Sequence, residues 1–399
     1  MPRLLRETAG GLPRTFWAIF AALLVNRVGA FGMLLLPTYL MSERGTSLAL
    51  AGLVTGAYGA GGGVGSLLGG VLADRWGRRQ SFLAGTAAAA GLMLALAFAK
   101  PVWLIATLVV LLGAAHTLPG PPMIAAIVDV VPGKDRSRAF NLHFWAFNMG
   151  TSVAAALAGL IAQVSFPALF IGDAAMTALT AVLVWFFVPE TKPLRFSNSG
   201  GLGVVLRDRV YLTFVALTFV LAFLTVQSST TIQLAMAADG LSPVVFGFVL
   251  SVSGAMIVLG QLFVPRLIGA RRHAVVLACA LTLVGIGYVT IAFANVAWFY
   301  LAAAVVWTSG QMLAAPANAS INAELSPVEM RGRYQAIFNL VFPAAFFAAP
   351  AIGGWSLERL GVWHWVLCGM LGLGAAAGHL ASARTREQQA VARELAYQS

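Results

Sequence analysis

Residues 69–79 read Gly69-Gly70-Val71-Leu72-Ala73-Asp74-Arg75-Trp76-Gly77-Arg78-Arg79. A glycine-rich apolar run ends there in a tight charged turn, and a second apolar run begins at Ser81. One acid and three arginines between two runs of membrane length describe a short loop held at a membrane face. Away from this turn the chain repeats the same theme. Apolar runs of about 20 residues, each long enough for a hydrocarbon core of about 30 Å, recur along its length.

The composition agrees. Of 399 residues 59% are hydrophobic and 10% charged, against roughly 25% charged in soluble domains. The basic head (Arg3, Arg6, Arg14) leads into an apolar run too long for a signal peptide. The net charge of +11 raises nucleic acid as a partner, but its distribution argues against one. With even-numbered turns and both tails placed on one side, every Lys and Arg lies on that side except Arg44, Lys100, Arg359 and the intramembrane Arg27. This is the positive-inside pattern, and it puts both termini in the cytoplasm of a cell-membrane protein. Cys279 and Cys368 lie within apolar runs and imply no disulfide framework.

The fold class expected is all-α, with twelve membrane helices near 15–41, 49–73, 81–99, 102–130, 138–163, 166–188, 211–237, 243–268, 274–294, 297–325, 333–357 and 362–383. The polar stretch after Pro189 divides the chain into an N-terminal six-helix bundle (1–188), a linker (189–210), a C-terminal six-helix bundle (211–383) and a cytoplasmic tail (384–399). Within the linker, 202–209 suits either a short amphipathic surface helix or a plain flexible connection. The bundles repeat. Asp129, Arg136, Arg138 and Gly159 recur 195 residues later as Glu324, Arg331, Arg333 and Gly354, as expected of two pseudo-symmetric bundles. Pro265 to Arg272 is a worn copy of the opening stretch without its aspartate.

The pattern G-x-L-A-D-R-x-G-R-R closely resembles the loop between the second and third helices of the major facilitator superfamily, and the acid-to-arginine spacings after Asp129 and Glu324 resemble that family's paired motifs. The resemblance implies a transporter working by alternating access, with Asp74, Arg75, Arg78, Asp129, Arg136, Glu324 and Arg331 as a cytoplasmic gate. Overall the chain looks most like the drug–proton antiporter branch, which implies proton-coupled efflux of amphipathic compounds. That branch typically carries Gly-Pro-x-x-Gly-Gly in the fifth helix. Here 154–159 reads Ala-Ala-Ala-Leu-Ala-Gly, and the closer match, Ala349-Pro350-Ala351-Ile352-Gly353-Gly354, lies in the eleventh. The departure leaves the direction of transport open. The alternative is proton-coupled uptake or export of a small anionic metabolite or peptide. Asn26 to Gly32, with Tyr39 beyond, faintly resembles the first helix of proton–peptide symporters, although Asn26 stands where those proteins have a glutamate.

Ionisable residues within lipid are costly and functional by default. Arg27 lies 12 residues after Thr15, roughly 18 Å along a helix, and reads as an anion-binding or proton-tuning group. Asp173 is the acid deepest in a span away from the charged turns and is the first candidate proton carrier, with His116 and Asp129 next. Polar stripes on the fifth helix (Asn141, Trp145, Asn148, Ser152) and the tenth (Trp307, Gln311, Asn318, Asn322), with Gln227 and Thr231 on the seventh, must face inward. Arg27, Asn26, Trp145, Asn148, Gln227, Trp307, Gln311 and Asn318 are the expected substrate contacts. The partners expected are a small molecule, protons and the bilayer, with the chain a monomer. No cofactor, metal ligand set, nucleotide loop or nucleophile–base pair appears in the pattern, so an enzyme is not expected.

Overall fold

The computed structural model describes residues 11–191, 202–261, 263–269, 271–327 and 330–398. The longest helices have 28 residues, about 42 Å at 1.5 Å per residue. Among the described residues, eleven helical segments are long and apolar enough to cross a membrane. The tenth expected span is present as a continuous helix, Ala297–Glu324, but is not one of the eleven. By contact the chain forms two compact units. Unit 1 comprises Met1–Thr46, Ala57–Phe196 and Ser242–Ala255, and unit 2 comprises Ser47–Gly56, Ser197–Leu241 and Met256–Ser399.

Unit 1 is built from α1 (Arg14–Val28), α2 (Leu36–Arg44), most of α3 (Leu48–Arg75), α4 (Arg78–Phe98), α5 (Val102–Thr117), α6 (Gly120–Val130), α7 (Arg136–Ala162) and α8 (Phe166–Phe187). The glycines of α3 explain its packing. Cβ atoms on Gly61, Gly65 and Gly69 would lie 1.9, 2.0 and 2.2 Å from carbonyl oxygens of Val110, Ala114 and Leu118. Spaced by four, they form one bare stripe along which the α5 backbone lies in direct contact. Thr117 adds an Oγ1–H bond of 2.8 Å to the Gly62 carbonyl. The first expected span is interrupted after Val28, where Gly29 has no room for a side chain beside Met176 (a Cβ would lie 2.1 Å away). The fourth breaks between Thr117 and Gly120, at the first of its prolines. Pro119, Pro121 and Pro122 lack the amide that an uninterrupted helix requires.

Unit 2 contains α9 (Arg209–Gln227), α10 (Thr231–Ala238), α12 (Val264–Ile268), α13 (His273–Ile291), α14 (Ala297–Glu324), α15 (Arg331–Asn339), α16 (Val341–Leu360), α17 (Trp363–Ala381) and α18 (Ala383–Gln398). α11 (Pro243–Gly260) begins in unit 1 and ends in unit 2. The seventh expected span is interrupted at Ser228–Thr230. The linker segment Leu202–Arg207 is a 3-10 helix. Residues 384–398 of the expected tail (384–399) lie in the helix Ala383–Gln398. Unit 2 has an aromatic core. Tyr288 stacks between Trp307 and Trp365, with ring centroids 5.9 and 5.8 Å apart.

Candidate functional site

Three polar groupings stand out, each within one unit. The first is the interior of unit 1. Arg27 lies in the last turn of α1, where Gly150 of α7 packs on its backbone; a Cβ on that glycine would lie 2.5 Å from Arg27 Cβ. Its guanidinium lies over the Phe147 ring, 4.2 Å from the centroid. Among the described residues its Nε has no hydrogen-bond partner, and no carboxylate lies within ion-pair distance. Arg27 is within electrostatic reach of Asp173 and Tyr58. A desolvated cation–π contact contributes about 2 kcal/mol, less than the several kcal/mol that burying an unpaired cation costs. The ring alone does not balance this charge.

Asp173 is 2% exposed. Its Oδ2 accepts the Gly32 amide at 3.1 Å, and its Oδ1 accepts the Thr177 hydroxyl at 3.2 Å. Gly32 offers that amide because α1 has ended and its backbone no longer bonds within a helix. The Tyr58 hydroxyl lies 3.3 Å from His116 Nδ1. His143 is half-buried, and its Nε2 has no partner among the described residues. Tyr58, His143 and Phe147 were not singled out by the sequence. A tyrosine, a histidine and a phenylalanine in apolar runs carry no signal until the helices are packed.

The other expected contacts in unit 1 differ among themselves. Asn26 is half-buried and Trp145 exposed. Asn148 Nδ2 donates to the Phe144 carbonyl one turn back, at 2.8 Å. Ser152 and Ser251 each donate to the other's carbonyl, at 2.8 and 2.9 Å, so that part of the stripe joins helices.

The second grouping is the charged turn. Arg78 Nη1 bonds Asp74 at 2.8 Å and its Nε bonds Asp129 at 3.5 Å. Arg75 is also engaged. Arg136, expected beside Asp129, instead donates to the Val128 and Val131 carbonyls. It caps the C-terminal end of α6, where a cation satisfies orphan carbonyls and favours the helix dipole. Glu190, not expected at all, accepts the Arg78 amide at 2.7 Å and so caps the start of α4. Gly77 between α3 and α4 has φ +108°, and a Cβ there would lie 2.5 Å from the Glu190 carboxylate. In unit 2, Glu324 pairs with His273 at 3.1 Å; the Arg331 side chain lies outside the described residues.

The third grouping is the interior of unit 2. Gln227, Thr231 and Gln233 are buried, and among the described residues neither amide atom of either glutamine nor the threonine hydroxyl has a partner. Gln311 Nε2 is likewise unbonded. Trp307 is not an open contact, because it is the buried outer ring of the aromatic stack. Asn318 is also turned into the packing, where its Oδ1 accepts the Thr218 hydroxyl at 3.0 Å.

A family model described as Major Facilitator Superfamily matches residues 16–271 and 219–395. The chain is 27% identical over 364 residues to the uncharacterized MFS-type transporter YttB of Bacillus subtilis, covering 88% of this chain and 90% of that protein. It is 25% identical to the multidrug resistance protein MdtH of Klebsiella pneumoniae, over 73% of each chain. It is also 25% identical to a Na(+), Li(+), K(+)/H(+) antiporter of Planococcus maritimus, over 84% of each. Among solved structures, a peptide transporter POT in complex with sulfate superimposes with a TM-score of 0.76 at 16% identity, covering 96% of this chain and 99% of that one. At that identity the likeness is one of fold.

Proposed function

The chain belongs to the Major Facilitator Superfamily, and we propose that it is an alternating-access transporter that exports amphipathic organic compounds in exchange for protons. It acts as a monomer in the cell membrane with both termini cytoplasmic. The observation that carries this reading is Asp173, an almost wholly buried carboxylate within electrostatic reach of an arginine that has no ion-pair partner among the described residues. A charged Asp173 offsets Arg27 through space. When the carboxylate takes a proton, Arg27 loses that compensation, and conformations that bring its guanidinium to water or to a ligand gain in relative stability. One proton thereby changes the charge balance of a whole helical unit. Aromatic and amide side chains, such as Phe147 and Trp145 in unit 1 and Gln311 in unit 2, suit bulky amphipathic solutes. The relatives named for multidrug resistance and for antiport support this reading. The Asp74–Arg78–Asp129 cluster holds one state of the cycle, with modest strength because two of its three side chains are substantially exposed.

One observation favours a second reading, transport of a small anion or peptide: among the described residues, Arg27 has its charge but no carboxylate in ion-pair contact. Binding assays on Arg27→Lys and Arg27→Gln, from mildly acidic to mildly alkaline pH, separate the two. For amphipathic exporters the Lys variant keeps most binding, and the Gln variant shifts the pH profile more than the affinity. For an anionic solute both variants lose affinity, since lysine lacks the planar fork that grips a carboxylate or phosphate. Wild-type affinity and pH dependence in both variants would contradict both readings.

A further inference from the structure

On the arginine-rich side of unit 2, around the Glu324–His273 pair, lies a cavity of about 200 Å³ lined by Arg271, Arg272, His273, Glu324, Arg386 and Glu387. Its charges do not cancel. Arg272 forms a two-pronged bond with Glu387, Nε to Oε1 at 3.1 Å and Nη2 to Oε2 at 2.6 Å. His273 Nδ1 lies 3.1 Å from Glu324. Both acids are thus engaged, and two arginines remain. Among the described residues, Arg271 donates only to the Leu267 and Ile268 carbonyls. Arg386, 4% exposed, bonds only His379 among them, through its carbonyl and Nδ1. Burial disfavours the charged form of Arg386 and lowers its pKa, an effect only partly offset by Glu387 and Glu324. An anion in the cavity would relieve that penalty.

The backbone adds to the same field. α13 starts at His273, and its N-cap residue is Arg272, whose side chain makes no capping bond. The amides of His273 and Ala274 therefore have no acceptor within the helix, and the positive end of the helix dipole points the same way. Both residues line the cavity.

We propose that this cavity binds a phosphate-bearing anion through Arg271, Arg386 and the first amides of α13. Arginine forks and free helix-start amides match the tetrahedral oxygens of phosphate, and basic pockets among membrane helices suit phospholipid headgroups. A bound phosphate bridges the α12–α13 turn to the start of α18 and fixes the C-terminal helix on unit 2.

The test uses the full chain in neutral detergent at low salt. Inorganic phosphate is titrated by calorimetry, and retention of dioleoyl-phosphatidylglycerol against dioleoyl-phosphatidylcholine is read by native mass spectrometry. Wild type should bind one or both anionic probes. Arg271→Gln removes an exposed side chain and should weaken binding about tenfold or more, the effect of losing a charge-assisted bond. Glu387→Gln should act in the opposite sense, because it frees Arg272 to join the site; a merely structural role would not tighten binding. Loss of phosphatidylglycerol preference alone in Arg271→Gln supports a lipid headgroup, loss of phosphate binding alone a soluble phosphate, and loss of both a site open to either. Absence of both signals in wild type, or wild-type binding in Arg271→Gln, would overturn the proposal.

Discussion

The interiors of the two units are polar in different ways. Unit 1 holds opposite charges on separate helices, Arg27 and Asp173, with Tyr58 and His116 bonded nearby. The interior of unit 2 around Gln227, Thr231 and Gln233 is neutral, with amides that have no partner among the described residues and an aromatic stack for a core. Charge in low polarity responds to a single proton with large energy changes, whereas neutral amides do not titrate. Under the proposed function, this contrast puts ion coupling in unit 1 and makes the amides of unit 2 solute contacts.

The largest effect expected is therefore in unit 1. Asp173→Asn should reduce flux driven by a pH gradient in proteoliposomes to background while gradient-free solute exchange continues. Gradient-driven flux equal to wild type would move the proton carrier to His116 or Asp129. In unit 2, Gln227→Met should behave differently. A buried amide without partners costs about 1–3 kcal/mol, so the variant should unfold at an equal or higher temperature. It should keep its pH profile while its solute affinity changes. A shifted pH profile would break the division between the units.

Smaller effects belong to the surface ends of the helices. Asp74→Asn removes one exposed partner of Arg78, and the pair contributes no more than about 1 kcal/mol. It should shift labelling of an external-vestibule cysteine downward without abolishing transport; unchanged labelling together with full transport would remove the cluster from the gating scheme. The smallest concerns Asp208 in unit 2. Burial acts to raise its pKa, but hydrogen bonds from the Tyr211 amide, Arg393, Gln389 and Tyr334 outweigh that and hold it below the usual carboxylate range. A lowered folded-state pKa means that its contribution is fully present above the ordinary carboxylate pKa and is lost as pH falls through the lowered value. Thermal unfolding of wild type should lose that increment on acidification, and Asp208→Asn should flatten the loss. An identical acid dependence in the variant would show that Asp208 contributes nothing.

The membrane helices, the charged turn and the two intramembrane charges were legible because each rests on a composition or spacing that soluble chains do not tolerate. Arg27 and Asp173 stand out in apolar runs on charge alone. Tyr58 and Phe147 do not, since their roles come from which helix the glycine notches bring alongside. Trp307 and Asn318, on the polar stripe of the tenth expected span, are buried in the packing of unit 2 itself. Periodicity gives a face, not the neighbour it meets. Arg136 repeated at a fixed offset, yet nearby carbonyls of α6 compete for it. The polar sequence of 384–399 reads as a tail; the anchors of the helix Ala383–Gln398, Arg386 on His379 and Arg393 on Asp208, are tertiary.

The central claim is that a proton on Asp173 answers to solute binding. Proton release on adding solute can be read with a pH-indicating dye in weakly buffered detergent solution. The account predicts release from wild type, little or none from Asp173→Asn, and wild-type release from Gln227→Met. Undiminished release from Asp173→Asn would contradict it.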